Sequence, residues 1–214
     1  MRPRVLCNMA SSIDGKIAPT RRREPFVMSR RPEDHRRMLA LRARVDAVVI
    51  GAGNLRADDP DLMPCPLRVV VTRGGEQVRP DARMFDRSLG GEAVVAHAAT
   101  MTAATREALG SAATLVELGR SEVDVVQVVE WLGRERGCKA VLCEGGGMLN
   151  AQLFAAGAID ELYLTIVPRI LGGAKAPTLA QGSGFAADEV PDGRLASVER
   201  VEDELFLVYR FGAQ

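Results

Sequence analysis

The fold class is decided by one stretch of the chain, Ala140-Val141-Leu142-Cys143-Glu144-Gly145-Gly146-Gly147-Met148-Leu149-Asn150. An apolar run leads into three successive glycines, and an apolar helical pattern follows until Gly157. Strands that turn directly into helices are the repeating unit of α/β proteins. Glycines in such a turn let a ligand approach the backbone, and free N–H groups at the helix start attract phosphate. The stretch therefore predicts a strand, a phosphate-binding turn and a helix over Met148–Ala156. A tight turn that needs positive φ but holds no ligand is the alternative.

Short apolar runs rich in β-branched residues predict the remaining strands. They are Val5–Met9, Asp46–Ile50, Leu67–Thr72, Ala93–His97, Thr114–Leu118, Glu161–Val167 and Glu204–Phe211. Most are apolar throughout, which is typical of strands covered on both faces of a parallel sheet. Helical patterns lie between them: one begins at Pro32, and another spans Ser121–Arg136, where Ser121 and Asp124 suggest a capping box. We expect one α/β domain over residues 1–214, a three-layer sandwich with a mostly parallel central sheet and helices on both faces.

The composition excludes several classes of function. The 214 residues include 28 Lys and Arg and 28 Asp and Glu, so the formal net charge is zero. Nucleic-acid and membrane-surface binders usually carry a basic excess, so neither partner is expected. No apolar stretch approaches the roughly 18 residues of a membrane helix, and the N-terminus has no signal-peptide core. The four cysteines lack metal-type spacing, so we expect a reduced, cytoplasmic protein without a bound metal.

Two further loops follow predicted strands and carry polar residues. Ser11–Lys16 follows the first strand, and Gly51–Pro60 follows the second. Ligands of α/β proteins collect beyond the carboxyl ends of the strands, so these loops and the glycines are expected to share one site. The adjacent carboxylates Asp58 and Asp59 could cap a helix, bind a metal or contact a polar substrate, whereas Asp14 before a glycine equally fits an ordinary turn. A Ser-His-Asp hydrolase is disfavoured because the chain has no G-x-S-x-G elbow.

The ordered combination of these motifs resembles the pyrimidine reductases of riboflavin biosynthesis, the C-terminal domain of bifunctional deaminase-reductases. The resemblance is carried by Ser12–Ala18, Leu41–Ala43, Asp46–Ile50, Arg56–Pro60, Glu144–Asn150, Asp160–Leu162 and Pro168–Gly173. It implies a dihydrofolate-reductase-like sandwich, NADPH as the reductant and commonly a homodimer. The implied substrate is a ribosylaminopyrimidine 5′-phosphate, whose ribose C1′ is reduced to give a ribityl chain. The zinc-deaminase signature is absent, so the resemblance is to a stand-alone reductase.

The resemblance also assigns residues by position. The cofactor residues that it implies are Ala10, Asn54, Asp58, Arg73 at the adenosine end, and Gly146, Gly147, Met148, Leu149 and Asn150 within the Gly146–Gln152 segment. It places the pyrimidine at Leu62 and Glu144. Asp58 would be the catalytic residue, because a carboxylate beside the nicotinamide stabilises the iminium of the opened sugar or relays a proton. Asp59 would fix the turn by accepting backbone N–H bonds.

Several positions depart from the pattern of the family. Cys65 stands where the family commonly has an arginine that helps to bind the substrate, and Glu24 stands near a usual small hydroxyl residue. Phe26 replaces a common Trp, Asn54 a usual Thr, and Arg73 a usual Ser. These departures concern the substrate more than the cofactor. A related reductase of a pterin or dihydrofolate-like heterocycle, and a nucleotide-binding module without turnover, therefore stay open as alternatives.

Overall fold

The computed structural model describes residues 1–21 and 25–212, and this part of the chain forms a nine-stranded sheet with helices on both faces. The strands are β1 (Arg4–Ser12), β2 (Ala47–Gly51), β3 (Leu67–Thr72), β4 (Glu92–His97), β5 (Thr114–Glu117), β6 (Ala140–Cys143), β7 (Glu161–Val167), β8 (Arg194–Val201) and β9 (Glu204–Arg210). The helices are α1 (Pro32–Arg42), α2 (Ala52–Asp58), α3 (Ala103–Gly110), α4 (Val125–Arg134) and α5 (Gly147–Ala155). Glu24, one of the departures noted above, lies outside the described residues.

The strands follow the order β5-β4-β3-β2-β6-β1-β7-β9-β8. Every neighbouring pair from β5 to β7 is parallel, whereas β9 is antiparallel to both β7 and β8. The predicted mostly parallel sheet is therefore confirmed, with an antiparallel hairpin at one edge. Parallel strands direct their carboxyl ends to one edge of the sheet, which is where α/β proteins bind ligands.

Two apolar layers cover the sheet, and the alternation of side chains along β1 separates them. Val5 and Cys7 pack in the layer that contains α4 and α5, whereas Leu6 packs in the layer that contains α1, α2 and α3. Burial on both faces explains why the central strands are apolar at successive positions. In the described part of the chain, no helix is both long and apolar enough to cross a membrane.

The beginning of α4 differs from the sequence prediction. The helix starts at Val125, and Asp124 is its N-cap, whose carboxylate accepts hydrogen bonds from the backbone N–H groups of Val126 and Gln127. Ser121 lies before the helix, so the predicted capping box over Ser121 and Asp124 is wrong. A single aspartate at the N-cap satisfies the free N–H groups of the first turn, and no second partner is needed.

Two α-helices and one strand have no counterpart in the sequence prediction. They are α2, α3 and the edge strand β8, all of which are short or weakly patterned. β8 is exposed along seven of its eight positions, so it lacks the alternation of apolar and polar residues that marks a half-buried strand. Its pairing with β9 comes from the hairpin that joins them rather than from its own composition.

Candidate functional site

A cleft of about 1300 Å³ opens at the carboxyl ends of the central strands. Its walls come from the end of β1, the start of α1, α2, and the glycine turn that leads into α5. Pockets for one small ligand usually enclose roughly 300–1000 Å³. This cleft therefore has room for a dinucleotide and a second molecule beside it.

The three glycines at the junction of β6 and α5 have three different roles. Gly145 has a φ of 80°, a conformation that side chains disfavour. A Cβ on Gly147 would collide with the carbonyl oxygen of Thr178, so this position needs a glycine for close packing. A Cβ on Gly146 would meet no atom of the described residues within 4 Å, because Gly146 faces the open cleft at the N-terminus of α5. Gly146 and Gly147, which the resemblance assigns to the cofactor, both line the cleft, and Gly146 is the one that faces open space.

Glu144 forms a bidentate ion pair with Arg42 beside the cleft. Arg42 donates from Nε and Nη2 to the two carboxylate oxygens, at 2.7 Å each, and from Nη1 to the carbonyl oxygen of Met63 at 3.1 Å. The two side chains are only 6% and 10% exposed. Burial acts to lower the pKa of Arg42, but the hydrogen bonds and charge of Glu144 outweigh it and raise that pKa. The pair fixes the Glu144 carboxylate in the cleft wall.

Helix α2 carries two predicted site residues that also line the cleft. Asn54 donates from Nδ2 to the carbonyl oxygen of Glu144 at 2.7 Å, so it ties α2 to the glycine turn. Asp58 ends α2 and accepts a hydrogen bond from the backbone N–H of Phe26 at 3.4 Å. Both residues line the cleft together with Ala10 of β1.

Asp59 has the structural role that the sequence predicts. Its φ of 44° turns the chain away from α2. One carboxylate oxygen accepts the backbone N–H of Arg83 and the other accepts Arg79, both at 3.1 Å. The two adjacent aspartates therefore differ: Asp58 lines the cleft, whereas Asp59 holds the turn.

Two guanidinium groups stand at the far end of the cleft. Arg73 pairs with Glu122 at 3.1 Å, with both side chains more than 60% exposed. Arg56 donates to Gln77 at 2.5 Å. Arg56 belongs to the Arg56–Pro60 motif, and in the folded chain it lines the same cleft as Arg73.

Two residues that the resemblance places at the ligands lie in the apolar layers instead. Leu62 is fully buried in the layer of α1, α2 and α3. Asn150 is also fully buried, accepts the thiols of Cys7 and Cys143, and donates to the carbonyl oxygen of Leu179 at 2.8 Å. Both side chains support the loops behind the cleft. Packing directs these two side chains away from the cleft, and their assignment to the ligands stays a prediction.

The Asp14 turn holds another loop rather than a ligand. Asp14 accepts the hydroxyl of Ser12 at 2.6 Å and the backbone N–H groups of Leu171 and Gly172 at 3.1 and 2.7 Å. These hydrogen bonds, with that of Ser12 the strongest, lower the pKa of Asp14 to about 2. Two motifs that are far apart in the sequence thus pack against each other below the cleft.

Asp34 is a cleft residue to which the sequence assigns no role at the site. It lies in the first turn of α1, is half-buried and lines the cleft. Burial raises its pKa, and the hydroxyl of Thr165 opposes that rise by hydrogen bonding to it. The sequence offers no signal for this environment, because Thr165 belongs to β7 at the other end of the chain.

A family model described as the RibD C-terminal domain matches residues 3–207. The 2,5-diamino-6-ribosylamino-4(3H)-pyrimidinone 5′-phosphate reductase of Archaeoglobus fulgidus is 30% identical to this chain. The alignment has 229 positions and covers 99% of this chain and 99% of that protein. The reductase of the same name from Methanothermobacter thermautotrophicus is 32% identical over 209 residues, which cover 94% of this chain and 93% of that protein.

Solved structures share the fold. The riboflavin biosynthesis reductase Rib7 of Saccharomyces cerevisiae matches with a TM-score of 0.75 and 18% identity, over 99% of this chain and 90% of that one. RibD of Acinetobacter baumannii matches with a TM-score of 0.77 and 18% identity, over 99% of this chain but 58% of that one. The family indicated by the sequence motifs is confirmed, and the chain belongs to the family of the RibD C-terminal domain.

Proposed function

We propose that this protein is an NADPH-dependent reductase of a ribosylaminopyrimidine 5′-phosphate in riboflavin biosynthesis. The observation that carries the proposal is that one cleft is lined both by an open glycine turn at the start of a helix and by carboxyl groups. The full-length relatives named as reductases of 2,5-diamino-6-ribosylamino-4(3H)-pyrimidinone 5′-phosphate support this substrate class. They also favour the 2,5-diamino form over the deaminated form.

The cofactor would occupy the part of the cleft at the glycine turn. Gly146 leaves space for a pyrophosphate, and the N-terminus of α5 offers free N–H groups and a favourable dipole. Met148 and Leu149 continue this wall toward the far end of the cleft. There Arg73 and Arg56 could hold the 2′-phosphate that distinguishes NADPH from NADH, since guanidinium groups bind phosphate through paired hydrogen bonds.

The substrate would occupy the part of the cleft lined by carboxylates. Glu144 retains lone pairs that can accept pyrimidine N–H groups, while Arg42 holds it in place. When bound, NADPH supplies the hydride for C1′ of the ribose. The sugar must first open to a cationic iminium, and Asp58 would stabilise this positive charge mainly in the transition state.

Oxidation of NADPH by the purified protein tests the proposal directly. We expect oxidation that depends on the 2,5-diamino-ribosylaminopyrimidine phosphate, with slower turnover of the deaminated compound and none with dihydrofolate. Turnover of dihydrofolate alone would indicate the pterin-type reductase instead. Binding of NADPH without oxidation by any of the three compounds would indicate a nucleotide-binding module.

The remaining parts of the proposal are a cytoplasmic location and a homodimer with one reductase domain per chain. Four free, buried cysteines are consistent with a reducing compartment. The apolar side chains Leu195, Val198 and Leu205 are exposed on the β8–β9 hairpin, which supports a contact between two copies at this edge. Sedimentation of the purified protein as a monomer at micromolar concentration would reject the homodimer.

A further inference from the structure

The Asp34 carboxyl group lines the cleft and is more buried than an ordinary acid at the start of a helix. The Thr165 hydroxyl of β7 is its hydrogen-bond partner. Met28 and Met38 line the same cleft and give it an apolar border on the α1 side. Thr165 is paired in register with Ala10 of β1, which lines the same cleft as Asp34.

Glu33, the neighbour of Asp34 in the same helical turn, provides a direct comparison. Arg36 and Arg37 donate hydrogen bonds to Glu33 and lower its pKa to about 2. Asp34 has the opposite shift, because burial raises its pKa and the hydrogen bond of Thr165 only partly opposes this. One turn of α1 thus holds an acid whose pKa is lowered to about 2 and an acid whose pKa is raised.

The charged groups around Asp34 come from several elements. On α1, His35 and Arg37 act to lower its pKa, yet the effect of burial is larger. On α2, Asp58 lines the same cleft, and on the glycine turn Glu144 is paired with Arg42. Arg42 donates to both oxygens of Glu144, so this carboxylate is held in the cleft wall.

The proposed reaction needs a source of a proton. Opening of the ribose ring breaks the bond between C1′ and the ring oxygen O4′, and the electron pair of that bond stays on O4′. The oxygen takes up one proton and becomes the 4′-hydroxyl, while the nitrogen lone pair forms the C1′ iminium. The hydride then adds to C1′ and gives the neutral secondary amine, so substrate, hydride and one proton balance the product.

We propose that Asp34 is the acid that gives this proton to O4′, held toward the substrate by Thr165. This inference rests on the proposed function. Asp34 gives its proton as the ring opens, becomes a carboxylate, and takes a new proton from solvent after the product leaves. Asp34 and Asp58 then divide the chemistry: Asp34 protonates the departing oxygen, and Asp58 stabilises the positive charge at C1′. Such a division between two carboxyl groups in different surroundings is common in enzymes.

The test compares two substrates with two matched variants. The first substrate is the 2,5-diamino-ribosylaminopyrimidine phosphate, and the second is its 4′-deoxy analogue, which cannot close the ring and stays an open imine. In Asp34→Asn we expect kcat for the ring substrate to fall about 10²-fold, the usual contribution of a general acid. The same variant should reduce the 4′-deoxy analogue at the parental rate, because no oxygen needs a proton and the imine nitrogen takes its one proton from solvent before the hydride adds. Glu33→Gln, the control in the same turn, should keep both rates.

The pH profile gives a second readout. In the parent, kcat for the ring substrate should fall as the pH rises through the raised pKa of Asp34, and Asp34→Asn should abolish this limb. An equal loss on both substrates, or a rise in KM with unchanged kcat, would overturn the inference. The affinity for NADPH, measured by fluorescence, checks that the variant is folded. If the parent itself does not reduce the ring substrate, the proposed function fails; if only the parent–variant difference is missing, the Asp34 inference alone fails.

Discussion

The cleft has two halves that are built in different ways. The glycine half, formed by Gly146, Gly147, Met148, Leu149 and Gln152, consists of one continuous segment whose backbone faces the cleft. The carboxylate half, formed by Asp34, Asp58 and Glu144, consists of side chains from three separate elements. A backbone surface recognises a ligand by shape and by N–H groups, so steric changes damage it. A side-chain surface acts through charge, so loss of one partner damages it.

The largest expected effect comes from breaking the ion pair of the carboxylate half. Arg42→Ala would leave the Glu144 carboxylate buried without its cation, which typically costs about 3–5 kcal/mol. We expect the free energy of unfolding to fall by about 3 kcal/mol in urea titrations, because the open cleft lets some water reach Glu144. Arg42→Lys, the control, keeps the charge but loses the two-pronged contact and should lie between. An unchanged urea midpoint for Arg42→Ala would show that the pair does not stabilise this half.

The next effect separates the two adjacent aspartates. Asp58→Asn keeps the shape of the side chain but removes its charge, so kcat should fall roughly 10²-fold with little change in thermal stability. Asp59→Asn should do the opposite, since its carboxylate holds Arg79 and the backbone of Arg83. We expect it to lower stability by about 1 kcal/mol with a modest effect on rate. Steady-state kinetics and melting curves of both variants measure this, and parental turnover of Asp58→Asn would remove its catalytic assignment.

In the glycine half, two neighbouring glycines should respond differently. Gly146→Val adds a branched side chain in the open cleft, so NADPH should bind at least tenfold more weakly, about 1.4 kcal/mol, in a folded protein. Gly147→Ala puts a methyl group against the carbonyl oxygen of Thr178 and should lower the melting temperature. Fluorescence titration and thermal melts separate the two effects. Normal NADPH binding by folded Gly146→Val would mean that the cofactor lies elsewhere.

The two halves also differ in how far the sequence predicts them. The strand Ala140–Cys143 agrees with the structure at both ends, and α5 begins one residue before the predicted start. This half is local, so an apolar run, three glycines and a helical pattern are enough to predict it. Asn150 is the exception in this half. It matches the family pattern in the sequence, but its side chain points into the core, because packing sets the direction of a side chain.

The carboxylate half depends on contacts between distant parts of the chain. Arg42 and Glu144 are 102 residues apart in the sequence, and Thr165 reaches Asp34 from a strand near the other end of the chain. No periodicity or local spacing relates such residues, so the sequence could suggest Glu144 but not the arginine that holds it. For the same reason, the sequence does not single out Asp34.

The smallest expected effect concerns the far end of the glycine half, where charge could add specificity to a backbone surface. Arg73 is exposed and paired with Glu122, so its contact with a 2′-phosphate is screened by solvent and by that carboxylate. We expect Arg73→Ala to weaken NADPH binding about fivefold, roughly 1 kcal/mol, and to leave NADH binding unchanged.

Glu122→Gln removes the competing carboxylate, so it should strengthen NADPH binding slightly and again leave NADH binding unchanged. The double variant should bind NADPH like Arg73→Ala, since Glu122 acts through Arg73. Titration of the four proteins with both cofactors measures this, and an equal effect of Arg73→Ala on NADPH and NADH would assign the specificity to Arg56 instead.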